Sequence, residues 1–202
     1  MKKITLNAEH VRAAMAHASN ERDRELLNGI LLAKNGDIVG TDGRSLFLAK
    51  GSIAEPDRLT MSDNIIKIES AVPISTEWLK VDLEGSVVEC WKNVAIHKRI
   101  PFRIVLGTFP NYEKVLPGDP NIDQPYNDTV LLTAVMLQKV AKTWGKDAIL
   151  NIKSNGVNEP LSVTSQEHSG LIVVMPCRCV KGDKIGQELV RRASVPLAEE
   201  VA

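Results

Sequence analysis

The side chains suited to acid–base, nucleophilic or metal chemistry are Asp42, three cysteines at 90, 177 and 179, and four histidines at 10, 17, 97 and 168. Their spacing argues against each of those chemistries. The histidines are scattered, and the chain contains no phosphate-binding loop, no Gly-x-Ser-x-Gly, no His-Glu-x-x-His and no Cys-x-x-Cys. Asp42, followed by Gly43, is of the type that sets a turn by bonding its own backbone. Cys177-Arg178-Cys179 has the form of half a metal site, but no second Cys/His pair lies nearby, and alternate strand positions put the two thiols on opposite faces. His10 and His17, without acidic or cysteine partners, are expected at the surface. No catalysis, metal or cofactor is therefore expected.

Composition narrows the class further. The chain has 202 residues, Lys+Arg 25 against Asp+Glu 25, 44% hydrophobic and 4% aromatic residues. That length suits one domain or two small ones with a real core. A net charge of zero removes the signature of a polybasic nucleic-acid binder, while leaving room for a basic stripe balanced elsewhere. So few aromatics argue against a protein that stacks successive bases of a single strand. The N-terminal segment reaches Asn7, Glu9 and His10 too early for a signal peptide, no apolar run approaches a membrane span, and the odd cysteine count fits a reducing compartment. A cytoplasmic protein with no membrane contact is expected.

The elements that must position these residues repeat. Lys3 to Leu6 reads as a strand and Asn7 as a helix cap, followed by an apolar stripe of Val11, Ala14, Met15 and Ala18. Gly29 to Ala33 and Asp37 to Gly40 flank Asn35-Gly36, which predicts a type I′ hairpin, and Ser45 to Ala49 supplies another strand. The unit is β-α-β-β-β. From about 128 to 180 the pattern returns, with Thr133 as cap, a stripe of Leu137, Val140, Ala141 and Trp144, Gly145 past the end, and strands at 148–152, 161–164 and 170–175. Between them lie five predicted strands (65–69, 78–83, 87–91, 94–97 and 102–106), but Pro73 leaves no room for the helix. Residues 118–127, rich in Pro, Gly, Asn and Asp, read as a connector, and 181–202 as a loosely held tail with one short helix at 184–192.

Three signatures then carry a resemblance. They are Leu26 to Leu32 followed by Gly40-Thr41-Asp42-Gly43-Arg44-Ser45-Leu46; Gly107-Thr108-Phe109-Pro110-Asn111-Tyr112-Glu113-Lys114-Val115-Leu116-Pro117; and Val173-Val174-Met175-Pro176-Cys177-Arg178. In this order they resemble the bacterial DNA polymerase III beta subunit, the sliding clamp, over about residues 3 to 180. Residues 1–117 look like that family's middle domain and 128–180 like the second half of its last domain. The resemblance implies an α+β, DNA-clamp-like fold of repeated β-α-β-β-β units, with antiparallel sheets and few helices on one side.

It also implies a function without turnover: a processivity factor for DNA replication that tethers polymerase or other partners by short peptides. The family's peptide cleft maps onto Leu27, Thr41, Gly43, Arg44, Leu46, Pro110, Lys114, Val115, Val173, Met175, Pro176 and Arg178, an apolar concavity rimmed by cations. Its DNA-facing helices map onto Arg12 and the stripe Lys139, Lys142 and Lys146, with Arg22 and Arg24 in the preceding polar loop. Double-stranded DNA would be held by its backbone, without sequence preference. Glu21, Asp23 and Glu25 oppose such contacts, and the helix missing near Pro73 removes a wall from any hole. The resemblance implies a ring of twelve units; this chain offers three, an odd number that leaves unit three without a partner within the chain, so a homo-oligomer or docking onto another clamp chain is expected. The alternative is a clamp remnant that binds peptides as an adaptor or competitor without encircling DNA.

Overall fold

A computed structural model describes residues 3–58, 62–117, 132–154 and 159–176. The connector, the tail, and Cys177 to Cys179 fall outside the described residues. The first unit runs β1 (Lys3–Asn7), α1 (Ala8–His17), a 3-10 turn (Glu25–Leu27), β2 (Ile30–Leu32), β3 (Ile38–Thr41) and β4 (Ser45–Ala49). A single helical turn, α2 (Glu55–Arg58), leads to the second unit: β5 (Asn64–Ile68), β6 (Trp78–Asp82), β7 (Val87–Lys92) and β8 (Ala95–Val105). A second 3-10 turn (Tyr112–Val115) precedes α3 (Ala134–Trp144), β9 (Leu150–Lys153), β10 (Leu161–Ser165) and β11 (Leu171–Val174).

Eleven strands hydrogen-bond in the order β1-β6-β7-β8-β5-β2-β3-β4-β11-β10-β9, with every pairing antiparallel. Units one and two exchange their first strands, β1 closing on β6 and β5 on β2. Unit three joins them through β11, whose Val173 and Val174 pair with Leu46 and Ser45 of β4. Strand β9 ends the sheet among the described residues, with all four of its residues exposed.

The central strands are apolar on both faces because both are covered. Alternate residues such as Ile30, Leu32, Ile38, Phe47 and Ile172 form the core beneath α1 and α3. Their neighbours Leu31, Val39, Leu46, Leu48 and Val173 form a second core, with Leu26, Leu27, Tyr112 and Leu116 packed against it. Helix α1 starts where Asn7 accepts a hydrogen bond from the Glu9 amide at 2.8 Å and settles directly on Gly40 of β3. Thr133 caps α3 by accepting from the Met136 amide, and Gly145 ends it at φ 94°. No helix among the described residues is long and apolar enough to cross a membrane.

Several expectations are corrected. The hairpin at Asn35-Gly36 is a three-residue loop: Gly36 alone has positive φ, its amide donates to Ala33 O, and the Ala33 amide donates to Asp37 O. That is a type I turn closed by a glycine bulge. The strands predicted at 94–97 and 102–106 are one strand, β8, which pairs with β7 up to Pro101 and with β5 from Phe102 onward. Helix α3 is rotated from the expected stripe: Met136, Val140 and Trp144 are buried, whereas Leu137 and Ala141 are exposed. His17 is fully buried and His10 half-buried, because α1 lies beneath unit three. The expected loss of the helix near Pro73 holds: residues 70–77 contain no helix. A loop there inserts Val72 into the core, and the Arg12 guanidinium fixes it by donating to Pro73 O at 3.0 Å and Thr76 O at 3.1 Å.

Candidate functional site

Where β11 meets β4, the sheet carries a concavity of about 170 Å³ on the face away from the helices. Its floor is the seam itself, Leu46 beside Val173, with Met175 continuing past the strand and donating its amide to Arg44 O at 2.9 Å. Leu27 comes from the first 3-10 turn, and Pro110 and Val115 come from the loop that follows β8. Thr41, Gly43 and Arg44 close the remaining side. Segments far apart in the chain therefore meet in one apolar hollow.

Each contributing segment is pinned. Asp42 organises the 41–45 loop: its Oδ1 accepts from the Arg44 amide at 2.9 Å and the Ser45 amide at 2.8 Å, while Thr41 Oγ1 accepts from the Gly43 amide at 3.0 Å. Gly43 sits at φ 84°, a conformation that favours glycine. Burial alone would raise the Asp42 carboxyl, but hydrogen bonds from Lys139 and from the Ser45 and Arg44 amides outweigh it and hold it below its ordinary value. Arg103 donates to Glu25 Oε1 at 3.1 Å, tying the turn that carries Leu27 to β8. Tyr112 bolts the 107–117 loop to the first hairpin, donating to Asp37 Oδ2 at 2.8 Å and accepting from Asn35 at 2.9 Å. Burial first, then Asp37, pushes the Tyr112 hydroxyl up to about 12, so it remains a donor.

Of the expected cleft residues, Leu27, Thr41, Gly43, Arg44, Leu46, Pro110, Val115, Val173 and Met175 line the hollow. Lys114 is exposed beside it, Pro176 is buried just beyond Met175, and Arg178 lies outside the described residues. Ser45, Asn111 and Tyr112 also line it and were not anticipated. The signal for the last two lay within the 107–117 signature, where Asn111 caps the 3-10 turn by accepting from the Glu113 amide.

Three of the six expected DNA residues are engaged within the protein. Lys139 is turned inward, its ammonium 2.6 Å from Asp42 Oδ2. Arg24 pairs with Glu21 at 2.9 Å and donates to Asp42 O at 2.8 Å, and Arg12 is held by the 70–77 loop. Lys142, Lys146 and Arg22 are exposed. Among the described residues no group of three or more His, Cys, Asp or Glu is placed to hold a metal.

No family model matches the sequence, and no curated protein does. Solved structures match at the level of fold. The Bacillus subtilis DNA polymerase sliding clamp superposes with TM-score 0.59 at 11% identity, over 89% of this chain and 65% of the clamp. The Pseudomonas aeruginosa DNA polymerase sliding clamp gives 0.57 at 17%, over 88% and 66%. The Caulobacter crescentus beta sliding clamp gives 0.58 at 14%, over 89% and 66%. The chain has the sliding-clamp fold. Within that fold it resembles bacterial DNA polymerase III beta clamps and spans about two thirds of their length.

Proposed function

We propose that the chain is a clamp-like processivity factor, without catalytic activity, that tethers DNA polymerase or other proteins by a short peptide seated in the hollow at the β4–β11 seam. The observation that carries this reading is the convergence of four separate segments on one preformed apolar concavity with a cationic rim at Arg44. A preformed pocket spends little binding energy on ordering itself. Met175 adds a side chain that adapts to related sequences. Asp42 favours this reading over an enzyme, because its carboxylate is spent on loop amides and Lys139. In this reading residues 1–117 act as a middle domain and 128–180 as half of a last domain.

Calorimetric titration with a polymerase-derived clamp-binding peptide tests it. Val115 and Met175 stand at the mouth of the hollow rather than in the buried core. The double change Val115→Ser and Met175→Ser should therefore weaken binding at least tenfold, about 1.4–3 kcal/mol for two truncated apolar side chains, with the thermal midpoint nearly unchanged. Equal affinity in the two proteins would remove the cleft from the reading.

Double-stranded DNA is the second partner proposed, held at its phosphates by Lys142, Lys146 and Arg22, with self-association of the chain completing any enclosure. Changing Lys142 and Lys146 to Glu should weaken binding and reduce the log–log salt slope by about 0.9 for each phosphate no longer neutralised. An unaltered slope would make these lysines solvated bystanders. The loop at residues 70–77 favours a second reading, a peptide-binding adaptor that does not encircle DNA. Retention on circular but not linearised DNA belongs to a closed clamp alone.

A further inference from the structure

Lys139 belongs to α3, in unit three, yet its ammonium reaches back across the seam to a loop of unit one that walls the proposed cleft. We propose that Lys139 is a positioning residue for that cleft: by holding Asp42 Oδ2 it fixes the carboxylate whose other oxygen shapes the 41–45 loop around Gly43 and Arg44. The inference rests on the peptide-cleft reading for its functional consequence, but not for its structural one.

The geometry divides the labour within one carboxylate. Oδ1 accepts from the Arg44 and Ser45 amides and, at 3.2 Å, from Ser45 Oγ. Oδ2 takes the Lys139 ammonium at 2.6 Å. Arg24 approaches the same residue from another direction, donating to its carbonyl oxygen, and its guanidinium lies 3.2 Å from where a Cβ on Gly43 would stand. The pair is largely shielded, each side chain retaining 20% exposure, so it is less screened than a surface bridge. A carboxylate deprived of its cation in this place would be left partly buried and undercompensated, and would turn toward water or Arg24. Either movement withdraws Oδ1 from the two amides and releases the loop. Arg44 then moves too, and its carbonyl is the acceptor for the Met175 amide at the cleft floor. The same strut thus reaches both walls.

The test uses the full chain with Lys139→Met, which keeps length without charge, Lys139→Arg, which keeps charge, and Lys153→Met as a control that removes one exposed charge from β9 of the same unit. Amide hydrogen exchange is read at Gly43, Arg44 and Ser45, with Leu79 and Val81 of β6 as a distant reference. Peptide affinity is measured alongside. In Lys139→Met the loop amides should exchange at least tenfold faster with the β6 amides unchanged, and peptide affinity should fall about fivefold. Lys139→Arg should restore both, and Lys153→Met should alter neither. Unchanged loop exchange in Lys139→Met overturns the proposal, as does acceleration shared equally by β6, which would mark general destabilisation. If the unaltered protein binds no peptide, the cleft reading fails while loop exchange still decides the role of Lys139.

Discussion

A Gly40→Ala chain is expected to lose more stability than any change made at the cleft. An alanine Cβ at this position would stand 1.9 Å from the carbonyl oxygen of Ala14, 2.5 Å from its carbonyl carbon and 2.8 Å from its Cα. All three are backbone atoms of α1, so no side-chain rotamer relieves the clash. The helix itself must lift from β3, taking Val11, Ala14 and His17 out of the core they fill. Overpacking that side chains alone absorb costs about 1–3 kcal/mol. A displacement of a packed helix should exceed that, roughly 3 kcal/mol or more against a total of about 5–15 for a domain. Gly51→Ala is the comparison: nothing lies within 4 Å of its added Cβ, and only the strain of φ 58° is incurred, about 1 kcal/mol. Urea unfolding of both variants checks this. A Gly40→Ala loss no larger than that of Gly51→Ala would mean that α1 does not sit where the structure puts it.

How far such packing is legible in the sequence varies by element. Helix caps at Asn7 and Thr133 and the short central strands are local, encoded by hydrogen-bonding residue types and by apolar runs between turns. The face that α3 buries is not local. Leu137 and Met136 each extend a plausible stripe through Val140 and Trp144. The choice is made by α1 and by Asp42, which lies 97 positions earlier and draws Lys139 inward. A lysine counted as surface on local periodicity thus becomes part of the seam.

The continuity of β8 through Pro101 is likewise not local. Inside a strand proline removes a donor and signals an end, but β8 changes partners at this residue, so its missing amide falls where the pairing passes from β7 to β5. The hollow was visible only through three sequence signatures taken together. No single one carries its geometry, since the floor forms by pairing Leu46 with Val173. His17 shows the limit most sharply, because a lone histidine at a helix end has no sequence mark of burial.

That histidine should make the fold sensitive to mild acid. Thr143 Oγ1 donates to Lys139 O at 2.9 Å, so in the 3.1 Å contact between Thr143 Oγ1 and His17 Nε2 the imidazole is the donor. His17 Nδ1 is then the bare nitrogen, buried without a hydrogen-bond partner, and the ring lies stacked against Phe47. Protonation would add a donor with no acceptor. Burial first, and then the nearby Lys139 charge, lower the His17 pKa to about 4, with Asp42 opposing only in part. The unfolded chain, at the ordinary value near 6.5, takes up the proton before the folded one does. Stability is therefore full above about pH 6.5 and falls as pH drops from there toward 4. The accumulated loss is roughly 3 kcal/mol at 1.36 kcal/mol per unit of pKa difference. His10, also lowered chiefly by burial, adds a smaller slope of the same sign. His17→Gln keeps a donor for Thr143 but cannot titrate, so its stability should run much flatter over this window, measured by urea unfolding at pH 7, 5.5 and 4.5. Parallel curves for the two proteins would refute the assignment. Because His17 stands where α1 meets α3, beside the Asp42–Lys139 strut, the proton it refuses acts on the junction that also builds the cleft.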